Sequence, residues 1–211
     1  MWLSCDPTGF PLLSLPALRL DVSLWPCTKA QFERFLSEPE SGFGDGWYEE
    51  VLAVNPRVSW REAPSPPERL FLTGIYPEEA LSFARWMGAG FDLPTVSEWR
   101  AAEAALAGVP IDRQSTSRLK EEWVEEAGAA FDHLRKLTGA KTWGGLTLSR
   151  GGVVEWVREG RAFGGLGTPR PGLLPNIYNP QLDVWHPARR RLDYLGFRLI
   201  RRWPTEREED L

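Results

Sequence analysis

The stretch Thr73–Glu103, TGIYPEEALSFARWMGAGFDLPTVSEWRAAE, decides the fold prediction for this chain. In its first half the apolar side chains recur at helical spacing, which predicts a helix with one buried face. These side chains are Ala80, Phe83, Ala84 and Met87. Pro77 suits the first turn of this helix, and the two glutamates that follow it favour its positive end. Gly88 and Gly90 are expected to end it.

Leu93-Pro94-Thr95 separates this helix from a second one. Thr95 and Glu98 have the spacing of a capping box, in which each side chain accepts a hydrogen bond from the other residue's backbone N–H. Trp99 and Ala102 give the second helix its apolar side. The stretch therefore predicts a buried two-helix scaffold, and it contains no catalytic signature.

Four motifs follow one another along the chain. The first comprises Val22, Thr28, Phe32 and Phe35, the second is the helix pair, the third is GGVVEW at residues 151–156 and the fourth is LGFRLIR at residues 195–201. Together they resemble the formylglycine-generating enzyme (sulfatase-modifying factor) domain family, a variant of the C-type-lectin fold. The matching residues of the helix pair are Ala80, Phe83, Trp86, Leu93, Pro94, Thr95, Glu98, Trp99, Ala101 and Ala102.

This resemblance implies an α+β fold of the C-type-lectin-like, formylglycine-generating-enzyme type. Such a fold has a short twisted antiparallel sheet, two or three helices and long loops. We expect one domain over residues 1–211, with a helical insertion near residues 117–138 and a ligand-display region at residues 158–194. Within the conserved scaffold, Trp86, Trp99 and Trp156 are expected to be core residues.

The chain departs from the family where the family performs chemistry. Family oxidases bind copper through a cysteine pair shortly before the Gly-Phe-Arg strand, whereas this chain has only Cys5 and Cys27, far upstream. Related iron enzymes need clustered histidines, and only His133 and His186 occur here. The resemblance therefore implies a scaffold without catalytic residues, metal ligands or cofactor. Gly152 replaces an Asn that helps to hold calcium in the family, which argues against one calcium site and leaves others open.

Composition places the chain among loop-rich globular domains. It has 211 residues, 42% of them hydrophobic, with 11 Trp, 20 Gly and 18 Pro. The net charge of −4 gives no global attraction to nucleic acid. No apolar run approaches the roughly 18 residues of a membrane span. A signal peptide would require a basic start, and no basic residue precedes Arg19 in this sequence. We expect a cytoplasmic protein with free thiols, although a Cys5–Cys27 disulfide stays an open alternative. The composition would suit a bacterial thermophile.

The remaining chain divides into short elements. The patterns predict a strand at Leu18–Leu24, a helix at Lys29–Leu36, loop at 37–72, a helix at Ser117–Leu137, strands at Leu146–Leu148 and Val153–Val157, a final strand at Leu195–Arg202 and a frayed acidic tail at 204–211. The solvent-exposed face of the third helix is expected to carry Glu121, Glu122, Glu125 and Glu126.

The segment 174–194, LPNIYNPQLDVWHPARRRLDY, is rich in the side chains that dominate adaptable recognition surfaces. The predicted ligand-binding residues are Asn176, Tyr178, Asn179, Gln181, Asp183, Trp185, His186, Arg189, Arg191, Asp193 and Tyr194. The resemblance places them on the face that binds ligands in this fold, where variable proteins of diversity-generating retroelements are diversified. Two plainer interpretations stay open for individual residues. One is that Trp185 and Tyr178 pack inward from an ordinary surface loop. The other is that the three consecutive arginines form a solvated edge.

The sequence thus predicts a non-catalytic binding module for a protein or other macromolecular ligand. Trp185 and Tyr178 would be its anchors, while Arg189 and Asp183 would set its polarity. Two other functions stay open. One is a metal-dependent oxidase of the family with a reduced site that uses Cys27 or His186, and the other is a fixed adaptor in a bacterial signalling system.

Overall fold

The computed structural model describes residues 2–54, 70–112, 116, 121–147, 153–158, 162–163, 191 and 195–204. Its strands are β1 (Trp2–Cys5), β2 (Pro11–Leu15), β3 (Leu20–Ser23), β4 (Phe91–Asp92), β5 (Val154–Trp156), β6 (Ala162–Phe163), β7 (Leu195–Phe197) and β8 (Ile200–Arg202). Its helices are α1 (Lys29–Leu36), α2 (Asp45–Val54), α3 (Pro77–Met87), α4 (Val96–Leu106), α5 (Glu125–Thr138) and α6 (Trp143–Thr147). The fold is mixed α/β with a small antiparallel sheet, which agrees with the predicted α+β class.

That sheet has five strands in the order β1-β2-β3-β8-β4, and each neighbouring pair is antiparallel. Leu20 lies opposite Arg202 and Val22 opposite Ile200, so an early strand pairs directly with the last one. The β1–β2 hairpin was not predicted from the sequence. Its second strand is buried at every position and so lacks the alternation that marks a half-buried strand.

A second sheet has three strands in the order β6-β5-β7, and β5 runs parallel to β7. The predicted strand at Val153–Val157 is confirmed as β5. The predicted single strand Leu195–Arg202 is wrong, because β7 joins the small sheet whereas β8 joins the large one. The break falls at Arg198, whose fully buried side chain pairs with Glu155 of β5.

The two helices of the decisive stretch are confirmed as α3 and α4. Pro77 begins α3, and Gly88 follows its last residue with φ of 109°. Thr95 and Glu98 form the expected capping box at the start of α4, and Trp99 packs inward at 3% exposure. Trp86 differs from the expectation, because it is only partly buried at the edge of its hydrophobic cluster.

Three other predictions on helices and loops need correction. The 37–72 loop contains α2, where Trp47 and Val51 lie one turn apart and both pack against the core. Leu146 belongs to α6 and not to a strand, since it and Trp143 are buried at helical spacing. The third helix begins at Glu125 and not at Ser117, because the Val124 N–H before it donates to Gly9 O.

The expected end of the third helix is confirmed, whereas one of its four glutamates is not exposed as expected. Gly139 follows α5 with φ of 62°, as expected for its end. Of the four glutamates, Glu121, Glu122 and Glu125 are exposed, while Glu126 is partly buried and pairs with Arg34 at 3.3 Å. Residues 117–120, together with the tail after residue 204, lie outside the described part of the chain.

Two hydrophobic clusters hold the described elements together. The larger one lies between the five-stranded sheet and the helices α4, α5 and α6, with Phe131 and Leu134 of α5 fully buried. The other joins α1, α3 and β7 through Phe32, Phe83 and Phe197, whose neighbouring ring centroids are 5.2 to 6.1 Å apart. None of the described helices combines the length and apolarity that crossing a bilayer requires.

Candidate functional site

The predicted ligand-display region leaves and rejoins the three-stranded sheet. β6 lies near the start of this region, residues 158–194, and β7 follows its end, and both strands pair with β5. Arg191 lies within the described chain, whereas the other predicted binding residues fall on residues that are not described. Those residues are Asn176, Tyr178, Asn179, Gln181, Asp183, Trp185, His186, Arg189, Asp193 and Tyr194. For them the binding role stays a prediction.

Arg191 makes a dense set of contacts inside the chain. Its Nη2 and Nη1 donate to Oε1 and Oε2 of Glu79 at 2.7 and 2.8 Å, which is a bidentate pair. Nη1 also donates to Gly74 O at 2.8 Å, and Nε donates to Glu50 at 3.1 Å. The Arg191 side chain is 8% exposed. Arg191 therefore fastens the end of the predicted display region to α2 and α3.

Two aromatic rings complete the surroundings of Arg191. The guanidinium carbon lies 4.5 Å from the ring centroid of Tyr76 and 5.7 Å from that of Trp47. Trp47 Nε1 donates to Glu79, and the Tyr76 backbone N–H donates to Glu79 at 2.8 Å as part of the α3 capping box. We call Trp47, Glu50, Gly74, Tyr76 and Glu79 the Arg191 cradle.

The electrostatics of the cradle stabilise the charged guanidinium. Burial alone would lower the pKa of Arg191, but the hydrogen bonds and charge of Glu79, with the hydrogen bond to Glu50, outweigh it and raise the pKa. Guanidinium groups favour such surroundings, because a planar donor can bind a carboxylate edge-on and stack on the faces of aromatic rings. The cradle is thus matched to arginine in shape as well as in charge.

A buried ion pair joins β5 to Arg198, the residue that follows β7. Arg198 Nε and Nη2 donate to the Glu155 carboxylate, both at 2.9 Å, and both side chains are 0% exposed. Trp99 Nε1 donates to the same carboxylate at 2.8 Å, and the Arg198 guanidinium lies 5.3 Å from the Trp99 ring centroid. Arg198 also donates to Thr147 O at 2.8 Å. This network fixes the strands to which the display region is attached.

The cysteines do not come together as a reactive pair. Both are free, which confirms the free-thiol expectation and leaves no Cys5–Cys27 bridge. Cys27 is buried and its thiol donates to Thr28 O. Burial, reinforced by the nearby charge of Asp6, raises the pKa of Cys27 well above its usual value. Cys5 is partly buried, and burial with the charges of Glu122 and Asp6 raises its pKa too.

The histidines give no shared centre in the described chain. The acidic neighbours of His133 on the third helix predict a surface position, but the side chain is partly buried and its Nε2 has no hydrogen-bond partner. His186 lies outside the described residues. Across the described ranges, no group of three or more His, Cys, Asp and Glu side chains is placed to hold a metal ion.

Sequence reasoning identified Arg191 but assigned it to ligand contact. It did not identify Glu50, Glu79, Tyr76 and Trp47 as the partners of Arg191. A local signal existed for Glu79, which stands three residues after the N-cap Tyr76. No local signal could join it to Arg191, which is 112 residues away along the chain.

Comparison with protein-family models, with curated proteins and with solved structures finds no match. The resemblance to the formylglycine-generating enzyme family therefore stays a prediction that rests on the motifs. The proposed function therefore rests on the geometry of the described residues.

Proposed function

We propose that the protein is a non-catalytic binding module that presents residues 174–194 to a protein or other macromolecular ligand. The observation that carries this proposal is that the predicted display region, residues 158–194, is attached near both of its ends. β6 and β7 flank the same strand, β5, and Arg191 is fastened into its cradle just before β7. Closing a loop costs entropy, and here the folded domain meets that cost before any ligand arrives.

The composition of the segment supplies the recognition chemistry. Trp and Tyr offer large contact areas and lose little conformational entropy on binding, so we assign Trp185 and Tyr178 as anchors. Arg189 and Asp183 would set the polarity of the surface. Burying anchors of this kind typically contributes about 2 kcal/mol or more each to binding.

The environment of Cys27 supports a binding module over a reduced oxidase. A thiolate is the form that binds metals and attacks substrates. Burial holds the Cys27 thiol protonated at neutral pH, and its hydrogen bond to Thr28 O points it into the protein. An oxidase that used Cys27 would have to expose and ionise this side chain first.

The position of the display region supports the C-type-lectin-like assignment. The resemblance places the ligand-binding face just before the last core strand, and the present chain places its display region directly before β7 and β8. If the module belongs to a diversity-generating retroelement, sibling copies will differ chiefly at codons 174–194. An adenine-rich template repeat beside the gene would accompany that variation.

A binding experiment tests the module directly. The double variant Y178A/W185A and the control variant K136A/L137A, which alters exposed residues of α5, should unfold at the same temperature as the wild type. Proteins recovered from a lysate of the source cells would be identified, purified and titrated against all three proteins. We expect Y178A/W185A to bind at least about thirtyfold more weakly, corresponding to roughly 2 kcal/mol, and the control to bind normally.

Two results would overturn the proposal. One is equal affinity of Y178A/W185A and the wild type for the purified partner. The other is stoichiometric copper or iron in protein purified without chelators, which would favour the oxidase alternative.

A further inference from the structure

The Arg191 cradle is built mainly by contacts that do not involve Arg191. Glu79 is held by the Tyr76 N–H and by Trp47 Nε1, and it is part of the α3 capping box. The Trp47 ring is positioned by Phe43 and Phe32, with ring centroids 4.7 and 5.5 Å away.

The backbone that carries the cradle's carbonyl is also fixed independently. Next to Gly74, the Ile75 N–H donates to Leu195 O at 3.4 Å, and Trp156 Nε1 donates to Ile75 O. These bonds keep Gly74 O in place whether or not Arg191 is present. The cradle should therefore persist when the Arg191 side chain is removed.

The chemistry of the cradle selects a guanidinium over an ammonium. Glu79 offers both carboxylate oxygens to two parallel N–H groups, and Gly74 O and Glu50 accept from the remaining edges. Tyr76 and Trp47 present their ring faces to the planar cation. An ammonium is a compact point charge that can neither span the bidentate pair nor stack on the rings in the same way.

One side of the cradle is open to solvent. The Glu50 side chain is 67% exposed, in contrast to the 8% exposure of Arg191 and the 7% exposure of Glu79. A cation arriving from solution would meet Glu50 first and then the deeper carboxylate of Glu79.

We propose that Trp47, Glu50, Gly74, Tyr76 and Glu79 form a guanidinium-binding site that Arg191 occupies as an intramolecular ligand. An arginine side chain from another molecule can fill the site when Arg191 is absent from it. This inference rests on described residues alone and does not require the proposed binding function of residues 174–194. It implies that the end of the display region is held by an exchangeable contact.

Intramolecular occupancy determines which protein can show the site. A tethered side chain competes at an effective concentration typically in the millimolar range or above. Free arginine at low millimolar concentration should therefore leave the wild type unchanged and should bind R191A, whose cradle is vacant. We choose L-argininamide as the probe because it lacks the carboxylate of free arginine, and L-lysinamide as the matched control.

The test measures thermal unfolding and binding isotherms of R191A with each amide at equal ionic strength. We expect saturable, single-site stabilisation of R191A by L-argininamide, and binding of L-lysinamide at least about tenfold weaker. The wild type should not respond. The double variant R191A/E79Q should bind L-argininamide at least about tenfold more weakly than R191A, because glutamine keeps the capping box but removes the charge.

Equal responses to the two amides, or no saturable response of folded R191A to L-argininamide, would overturn the proposal. If R191A does not fold by itself, R191Q takes its place, since its neutral and shorter side chain leaves the Glu79 carboxylate without a guanidinium and open to the probe. Failure of L-argininamide to stabilise R191Q would overturn the proposal in the same way. Loss of partner binding by Y178A/W185A would have no bearing on this result, so the two proposals can fail separately.

Discussion

Replacing Arg198 by methionine should destabilise the protein by about 3–5 kcal/mol, the usual cost of leaving a buried charge without its partner. Arg198 and Glu155 are both 0% exposed, and two hydrogen bonds of 2.9 Å join them. Methionine would remove two hydrogen bonds to the Glu155 carboxylate and would leave that of Trp99 Nε1 in place. It would also deprive Thr147 O of a donor at 2.8 Å. These losses place the expected value toward the upper end of the range.

Urea denaturation of the purified variant measures this free energy directly. Because a typical domain is stable by only about 5–15 kcal/mol, R198M should lose a large share of its stability. Its unfolding temperature should fall by roughly 6–20 °C for a chain of this size. R158M is the matched control, since Arg158 is 50% exposed and pairs with Asp92 at 3.3 Å. That surface pair should contribute about 0–1 kcal/mol.

The double variant R198M/E155L separates lost charge pairing from lost packing. Removing both charges leaves no ion at this buried position, so the double variant should be more stable than R198M despite carrying one more substitution. The reasoning would be refuted if R198M lost less than about 1 kcal/mol, or if the double variant were destabilised at least as much as R198M. Either result would mean that losing the positive charge of Arg198 beside the buried Glu155 carboxylate is not the source of the destabilisation.

Two further predictions concern the elements around the site. Burial alone would raise the pKa of Glu98, but hydrogen bonds led by that of Arg202 outweigh it and lower the pKa below 4.5. The stabilisation by this charge is therefore complete above pH 4.5 and is lost as pH falls through the folded-state pKa. In acid denaturation, the free energy of unfolding of E98Q should therefore decline less steeply with falling pH than that of the wild type. An equal decline in the two proteins would contradict this prediction. G196A should cost about 1–3 kcal/mol in urea denaturation, because its Cβ would lie 2.5 Å from Leu72 O. Its control, G128A on α5, has nothing within 4 Å of the new Cβ and should be neutral or stabilising; equal losses would refute the steric argument.

The predictions that succeeded rest on local interactions. The α3–α4 pair was predicted correctly because Pro77, Gly88 and the Thr95–Glu98 box act within a few residues of one another. Lys29–Leu36 was predicted with its observed bounds, and its start is also a capping box, formed by Thr28 and Gln31. Caps of this kind are determined by the sequence next to them, so they can be identified without knowing the rest of the fold.

The predictions that failed depend on distant contacts. The 37–72 stretch reads as loop from its Pro and Gly content, yet Trp47 anchors a helix there by stacking on Phe32. The final strand splits because Arg198 reaches Glu155, 43 residues away along the chain. At the candidate site, the sequence singled out Arg191 as a site residue, but it could not indicate its partners Glu50 and Glu79.

The contacts of Arg191 determine how it can contribute to binding. Its bonds to Glu50, Gly74 and Glu79 use all but one of its N–H groups, and its guanidinium carbon lies over the rings of Tyr76 and Trp47. A ligand could therefore gain little from Arg191 directly. Ordering each backbone residue costs about 1–2 kcal/mol, so a contact that holds the end of the display region lowers the cost of recognition by its neighbours. Under the proposed binding function, Arg191 would contribute through the residues that it positions, and its replacement should weaken binding without a direct ligand contact at its guanidinium.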